Sequence, residues 1–437
     1  MSKKDKELRQ QVACEWLEQN YLNWGHLRHD IVTDRLQIRC ADSTGEEAIR
    51  RGGERQERWR NLTDKDINTM VCNCVAESQV NINVSEMWTA LKSDMVPSVH
   101  PIRAWLDGLP PYTPDQPDWI DWLAQQVRVK PSGEEAKGDK ARGEELWRAC
   151  FKKWFVAMVA SWMKNEVVNH TVLVFVGRQG IFKTTWLDHL IPPALREYSS
   201  KLPLSGQISK DDRLRLCENA MLNIDELDAI CGREMNIVKS LLTSTDVNER
   251  AAYGRLKERR VRLASFCAST NNREFLTDVT GNRRWLPFEV ESIQNPFHIT
   301  LPYELIYAQA KALVESGRFI YWFDLEDIEQ LEKHNEEFRA MENEEQLLPI
   351  LFDIPAEGKG EFMTTAEISD KLVTYGGIKK PMSTRQLGIL LSKMGFTKKK
   401  MHMSATSVRG WMVYERKTDE INLAKKTGTS GHTDNIF

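Results

Sequence analysis

The sequence predicts an α/β core built on a parallel sheet, preceded by a mostly helical segment and followed by a small helix-and-strand module. Three observations predict it. Short apolar runs recur at Thr171–Val176, Ala220–Ile224, Val261–Cys267 and Trp285–Val290, and the first is β-branched like a buried parallel strand. Between the second and third runs, Ile237, Val238, Leu241 and Leu242 fall at helical spacing that suits packing on a sheet. The third observation is a charge reversal: residues 325–346 are strongly acidic, whereas 359–417 hold twelve Lys/Arg against four Asp/Glu. The expected divisions are residues 1–150 (helical), 151–322 (α/β core), 323–358 (acidic helix and linker), 359–417 (basic module) and 418–437 (polar, disordered tail).

Composition narrows the function classes. A net charge of −3 with 28% charged residues excludes a polybasic chain or an acidic tail as the whole protein. No apolar run reaches membrane-span length, and the start MSKKDKELRQ lacks an apolar signal core, so a cytoplasmic protein without a membrane partner is expected. Eight cysteines scattered over 437 residues read as reduced thiols. Cys72 and Cys74 are too close for a common zinc pair, and His26, His29 and Cys40 read as ordinary side chains of a small N-terminal fold.

The first chemical station is TVLVFVGRQGIFKTTWLD, residues 171–188. Gly177 and Gly180 permit a tight loop after the strand, and Lys183-Thr184-Thr185 open a helix. In such a loop, backbone N–H groups surround a nucleotide's phosphates, Lys183 reaches the outer ones, and the Thr184 hydroxyl holds Mg2+. The pattern G-x-x-x-x-G-K-[ST] is met except at Phe182, which stands where the second glycine is expected. An ordinary strand–turn–helix is the competing reading of this stretch.

Three further stations follow in order. Ala220–Ile224 ends in Asp225-Glu226, a carboxylate pair suited to holding Mg2+ (Asp225) and polarising the attacking water (Glu226). The run Val261–Cys267 leads into Ala268-Ser269-Thr270-Asn271-Asn272, where Asn271, with Asn272 in reserve, is placed to orient water beside a γ-phosphate. A simple turn is the alternative. Gly281-Asn282-Arg283-Arg284 precedes the last strand, and in a ring-forming NTPase Arg283 or Arg284 would stabilise charge in a neighbour's site.

With these residues in view, the chain resembles the virulence-associated E family, whose core is similar to superfamily 3 helicases of phages and mobile elements. The resemblance rests on GRQGIFKTTWLDHLIP (177–192), NIDELD (223–228), KSLLTSTDVNERAAYGR (239–255), ASTNNREFL (268–276) and TGNRRWLPFEV (280–290). Gln179 and Gly180 match the family's G-x-Q-G-x-x-K-[ST] form. It covers roughly residues 60 to 415. It implies a P-loop NTPase core of AAA+/superfamily 3 type that binds ATP and Mg2+ through Gly177, Gln179, Gly180, Phe182, Lys183, Thr184 and Thr185. It also implies a DNA-contacting hairpin. Physically, the segment 249–260 is basic with one aromatic, so Arg250, Tyr253, Arg255 and Lys257 are the candidate DNA contacts there, and the resemblance of the block 239–255 adds Lys239. A solvated hairpin making intersubunit ion pairs is the rival reading.

The C-terminal module reads as a winged helix. Thr364-Thr365-Ala366-Glu367 caps one helix, Ser383–Met394 forms a second, and Lys398-Lys399-Lys400 leads to a strand at Gly410–Tyr414. Pro349, Pro355, Gly358 and Gly360 read as the linker before it. Arg385, Gln386, Ser392, Lys393, Lys398, Lys399 and Lys400 are its candidate DNA contacts, with protein docking as the alternative use. Trp59–Val75 and Val84–Met95 read as helices, and the N-terminal tryptophans as packing anchors. No polymerising primase site is legible; the resemblance implies a primase elsewhere in the chain or in a companion protein, a separate primase being the partner this chain then takes. The predicted function is ATP-driven translocation on, or unwinding of, DNA for a mobile element, as a homo-oligomeric ring, expected to be a hexamer. The alternatives are an ATP-gated DNA-binding initiator or regulator and a degenerate nucleotide-binding scaffold.

Overall fold

Strand β6, Val172–Val176, is buried at every position because sheet neighbours flank it and apolar layers cover both its faces. The computed structural model describes residues 3–40, 59–131, 140–202, 209–224, 227, 232–249, 258–276, 282–340, 343–356, 360–378, 381–403, 406–417 and 420–421. By contact they form two units, residues 1–272 with 283–331, and residues 273–282 with 332–437.

In the first unit the sheet around β6 has six strands. The others are β5 (Val127–Val129), β7 (Ser199–Lys201), β8 (Met221–Ile224), β11 (Ser265–Thr270) and β12 (Trp285–Ile293), in the order β5-β12-β6-β11-β8-β7. Every pairing except β5 with β12 is parallel. Starting at β6, the chain crosses to the far edge, returns through β8 and β11, and then jumps over β6 to β12. The order therefore reverses at β6, and the carboxyl end of β6 is where such sheets form a ligand crevice.

A long helix, α6 (Lys140–Met163), lays Trp147, Phe151, Trp154, Phe155 and Trp162 into the core. Each indole satisfies its N–H on a backbone carbonyl: Trp147 on Ala124 (3.0 Å), Trp154 on Phe266 (3.2 Å) and Trp162 on Ala220 (3.1 Å). Helix α9, Gly232–Thr243, buries Val238, Leu241 and Leu242 as their spacing predicts. After it, β9 (Asp246–Glu249) and β10 (Glu258–Val261) pair antiparallel as the two arms of a hairpin.

Several expectations are corrected here. The mostly helical reading of 1–150 omitted a sheet in the order β3-β2-β1-β4, made of Leu27–Asp30 (β1), Arg35–Arg39 (β2), Trp59–Asn61 (β3) and Ser98–Val99 (β4). Residues 59–61 are strand, and the helix α2 starts at Asp64, where Thr63 and Asp66 form a reciprocal cap. The run Val261–Cys267 is not one strand: β10 ends at Val261, and β11 begins at Ser265 and includes Ala268, Ser269 and Thr270. In the helix Leu325–Asn335 (α11), Leu331 is buried and Leu325 is exposed.

In the second unit, Pro349 falls inside a helix, α12 (Asn343–Leu351), rather than in a linker. Leu348 and Leu351 of that helix join the unit's core. Then come β13 (Phe352–Asp353), β14 (Glu361–Met363), α13 (Thr365–Gly376), α14 (Thr384–Lys393), β15 (Thr397–Met403) and β16 (Thr406–Glu415). β16 lies between β14 and β15 and pairs antiparallel with each. Trp411 and Val413 of β16 close the core over Leu387, Leu390 and Leu391 of α14.

Candidate functional site

The loop after β6 is shaped by backbone demands. Gly177 has φ +150°, and a Cβ there would lie 2.9 Å from the Val290 carbonyl oxygen on β12. Gly180 has φ +84° with open space around it, so conformation rather than room requires glycine. Phe182 has φ +67° and ψ +20°, a left-handed conformation, and caps helix α7, Lys183–His189. The glycine expected at this position answers a conformational requirement, and Phe182 meets it at a strain of about 1–2 kcal/mol. Its ring packs edge-to-face on Phe297, with centroids 6.4 Å apart.

Lys183 is 7% exposed, and its ammonium points back into the loop. Its Nζ donates to the Gly177 carbonyl at 2.5 Å, the Arg178 carbonyl at 2.8 Å and Asn271 Oδ1 at 3.0 Å. Thus two stations 88 residues apart in sequence meet directly. The meeting follows from register: Thr270 of β11 pairs with Val176 of β6, and Gly177 N–H donates to the Thr270 carbonyl at 3.1 Å. The Thr184 hydroxyl lies 3.0 Å from that of Ser269, which is buried on β11. Helix α7 is tied to β8 by Asn223, whose Nδ2 donates to Asp188 Oδ1 at 2.7 Å. At its far end, Tyr303 OH donates to the His189 carbonyl (2.6 Å) and Tyr307 OH to that of Leu190 (2.8 Å).

The remaining candidates fall in three groups. Asp225, Glu226, Arg250, Tyr253, Arg255 and Lys257 lie outside the described residues; the strand preceding the acidic pair ends at Ile224, in register with Ala268. Arg283 is exposed and Arg284 half-buried on the turn before Trp285, which pairs with Val172. They therefore sit at the edge of the sheet opposite the loop, about 15 Å along the strand direction, and do not meet Lys183 within one chain. Gln179 is exposed on the loop, Thr185 is half-buried on α7, and Lys239 is half-buried on α9.

In the second unit, Gln386 caps its own helix by accepting the Ser383 hydroxyl at 2.6 Å, and Lys393 pairs with Glu336 at 2.9 Å. Lys398 lies over the Trp411 ring at 5.5 Å; Arg385, Ser392, Lys399 and Lys400 are exposed.

Sequence reading missed Ser269 and Asn223 as site residues. The available signal was a polar side chain inside an apolar strand: Asn in AMLNI and Ser in the run ending ASTNN. It also missed Arg262, which is 1% exposed. Its guanidinium donates to the carbonyls of Asn169 (2.7 Å), Leu242 (2.8 Å), Ala264 (3.0 Å) and Leu241 (3.2 Å), and burial pushes its pKa down to about 9.

One comparison with known proteins, the family model, agrees with the family named by the motifs. The virulence-associated protein E-like domain matches residues 136–340. No curated protein matches the chain. Among solved structures, the apo C-terminal region of NrS-1 aligns at 11% identity with a TM-score of 0.44, over 92% of this chain and 99% of that one. An A-form apo structure of the same region aligns at 12% identity with a TM-score of 0.40, over 89% of this chain and 96% of that one. Among the described residues no helix is long and apolar enough to cross a membrane. Residues 136–340, which contain the loop, Lys183, Asn271 and the whole α/β sheet from β6 onward, are a virulence-associated protein E-like domain.

Proposed function

We propose that the chain is an ATP-dependent DNA translocase or helicase of a mobile genetic element, with a P-loop NTPase core of AAA+/superfamily 3 type. The observation that carries this reading is the convergence of Lys183 and Asn271 at the carboxyl end of β6, where the strand order reverses. The sheet order supports it further. A strand bearing the amide sensor lies between the loop strand and the strand that leads to Asp225-Glu226, which sets the two halves of the site about 10 Å apart across the sheet.

In the nucleotide-bound protein, Lys183 would exchange its carbonyl partners for the β- and γ-phosphates, releasing Asn271 towards the γ-phosphate and the attacking water. The oxygen donors of Thr184 and Asp225 suit Mg2+, which supplies charge neutralisation on the phosphates when bound. Glu226 would take a proton from the attacking water. Arg283 or Arg284, lying at the opposite edge of the sheet, would act on a neighbour's nucleotide, which requires a closed ring such as a hexamer. The β9/β10 hairpin arms and the second unit supply DNA contacts. The order α12-β13-β14-α13-α14-β15-β16, with β16 between β14 and β15, supports a winged helix there. A primase would be a separate partner.

The test is strand displacement on a forked duplex with Lys183→Ala as control. ATP-dependent displacement by the native chain alone is the expected outcome. Steady ATP turnover with no displacement would instead favour an ATP-gated DNA-binding initiator or regulator. Nucleotide binding without turnover would leave a degenerate nucleotide-binding scaffold, a reading that ATP hydrolysis stimulated by single-stranded DNA removes.

A further inference from the structure

Phe297 is a large aromatic left 69% exposed on an otherwise anchored turn. Pro296 beside it is buried, and the Phe297 N–H donates to Asn295 Oδ1 at 3.0 Å. The turn Pro296–His298 follows β12 directly, so the chain reaches it from the strand that runs parallel to β6 and next to it. Two rings of the α7 segment meet Phe297: Phe182 at 6.4 Å and 80°, and His189 at 5.6 Å and 90°. Neither lies parallel to it, and its exposure leaves ring surface that a planar group can cover.

Phe182 and His189 are seven residues apart, hence on one face of the α7 segment and about 10 Å apart along its axis. His189 is fixed there, since its Nδ1 lies 2.7 Å from the Thr185 carbonyl and its own carbonyl is held by Tyr303. The aromatic row thus begins at the covalent neighbour of Lys183 and runs away from the loop, the course of a nucleotide leading from its phosphates to its base.

We propose that Phe297, braced by Phe182 and His189, is the stacking platform for the nucleobase of the triphosphate bound at the Lys183 loop. This deepens the nucleotide reading above and rests on it. The occupant is the base of the bound nucleotide because the platform is continuous with the loop through Phe182. Stacking uses the π-face that every base has, so the platform recognises a base without choosing among bases, and ATP and GTP gain equally from it.

The experiment measures affinities of the full chain, with magnesium, for ATP, GTP, inorganic tripolyphosphate and single-stranded DNA, in the native protein, Phe297→Ala and Phe297→Tyr. The native chain should bind both nucleotides about tenfold more tightly than tripolyphosphate. Phe297→Ala should collapse that ratio towards one, and Phe297→Tyr should retain it, with tripolyphosphate affinity the same in all three. A ratio that survives in Phe297→Ala overturns the platform while leaving the phosphate site intact. Failure of the native chain to bind either nucleotide or tripolyphosphate overturns the nucleotide site itself, and the platform with it. A Phe297→Ala defect confined to single-stranded DNA would assign the ring to nucleic acid and overturn the proposal.

Discussion

Two buried cations in the same unit, Lys183 and Arg262, differ in what surrounds them. Arg262 lies just before β11 and clamps the carbonyls of Leu241 and Leu242, at the end of α9, to that of Asn169, shortly before β6. A planar fork holds several fixed acceptors, Phe266 lies under it at 4.9 Å, and no carboxylate pairs with it among the described residues. Lys183 lies at the other edge of the sheet, in a loop with three positive-φ residues, Gly177, Gly180 and Phe182, and one of its acceptors is a side-chain amide. An ammonium on a flexible stem can leave such acceptors for phosphate oxygens. The contrast teaches that burial alone does not mark a functional cation. Positive-φ backbone around the cation and acceptors that a ligand can replace are the grounds on which the proposed phosphate role falls to Lys183 and not to Arg262.

The largest effect should come from the loop edge. Lys183→Ala should lower ATP turnover by about 10²–10³-fold, the scale for losing one charged stabiliser of the transition state. Its unfolding free energy should change little, because the carbonyls it releases lie in a loop that water can reach. Turnover assays together with urea unfolding test both halves, and a variant that unfolds instead would erase the distinction from Arg262.

Arg262→Met should produce the converse. It removes one donor each from the carbonyls of Asn169, Ala264, Leu241 and Leu242, the last two keeping the Ser244 N–H (3.2 Å) and His170 Nδ1 (2.8 Å). It also empties a buried clamp between α9 and the chain before β6, so a loss of about 3–5 kcal/mol is expected. Where the variant is still folded, its affinity for ATP should stay within about twofold of native. A large fall in affinity at unchanged stability would contradict the division of labour drawn here.

The legibility of these two sites in the sequence follows the same division. β6 announces itself because a strand buried on both faces must be apolar throughout, and the glycines of its loop report the backbone they permit. Phe182 reads as a defect in the pattern until its φ of +67° shows that the position is defined by conformation, which a phenylalanine can meet under strain. Arg262 is invisible in VRLASFC, because its partners are backbone carbonyls and carbonyls leave no trace in residue identity. Strands β1 and β2 were missed for a related reason. Their sequences LRHD and RLQIR look solvated, yet Asp30 and Gln37 are fully buried, and Asp30 accepts the Tyr198 hydroxyl at 3.0 Å. Tertiary partners override the pattern where a polar face is buried.

Strain at the loop edge can be tested by a pair of variants at one position. Phe182→Gly loses the ring but accepts positive φ freely, whereas Phe182→Ala loses the ring and keeps the strain. Glycine should therefore be more stable than alanine by about 1 kcal/mol, the reverse of their order inside a helix. Parallel denaturant titrations give the sign directly, and alanine equal to or better than glycine would mean that the loop relaxes out of the left-handed conformation.

The smallest effect should come from Ser269, whose hydroxyl lies 3.0 Å from that of Thr184. Ser269→Ala removes one neutral hydrogen bond, an interaction of about 1 kcal/mol. Stability alone cannot separate a structural from a functional role for that contact, since either predicts a small loss. The magnesium dependence can. If Ser269 orients Thr184 towards the cation, the half-saturating magnesium concentration for ATP turnover should rise about three- to fivefold, with the rate at saturating magnesium nearly preserved. Threonine at 269, which keeps the hydroxyl, should restore the native value. An equal fall in rate at every magnesium concentration would instead make Ser269 a packing residue of β11, and the polar chemistry of the loop edge would then end at Lys183 and Asn271.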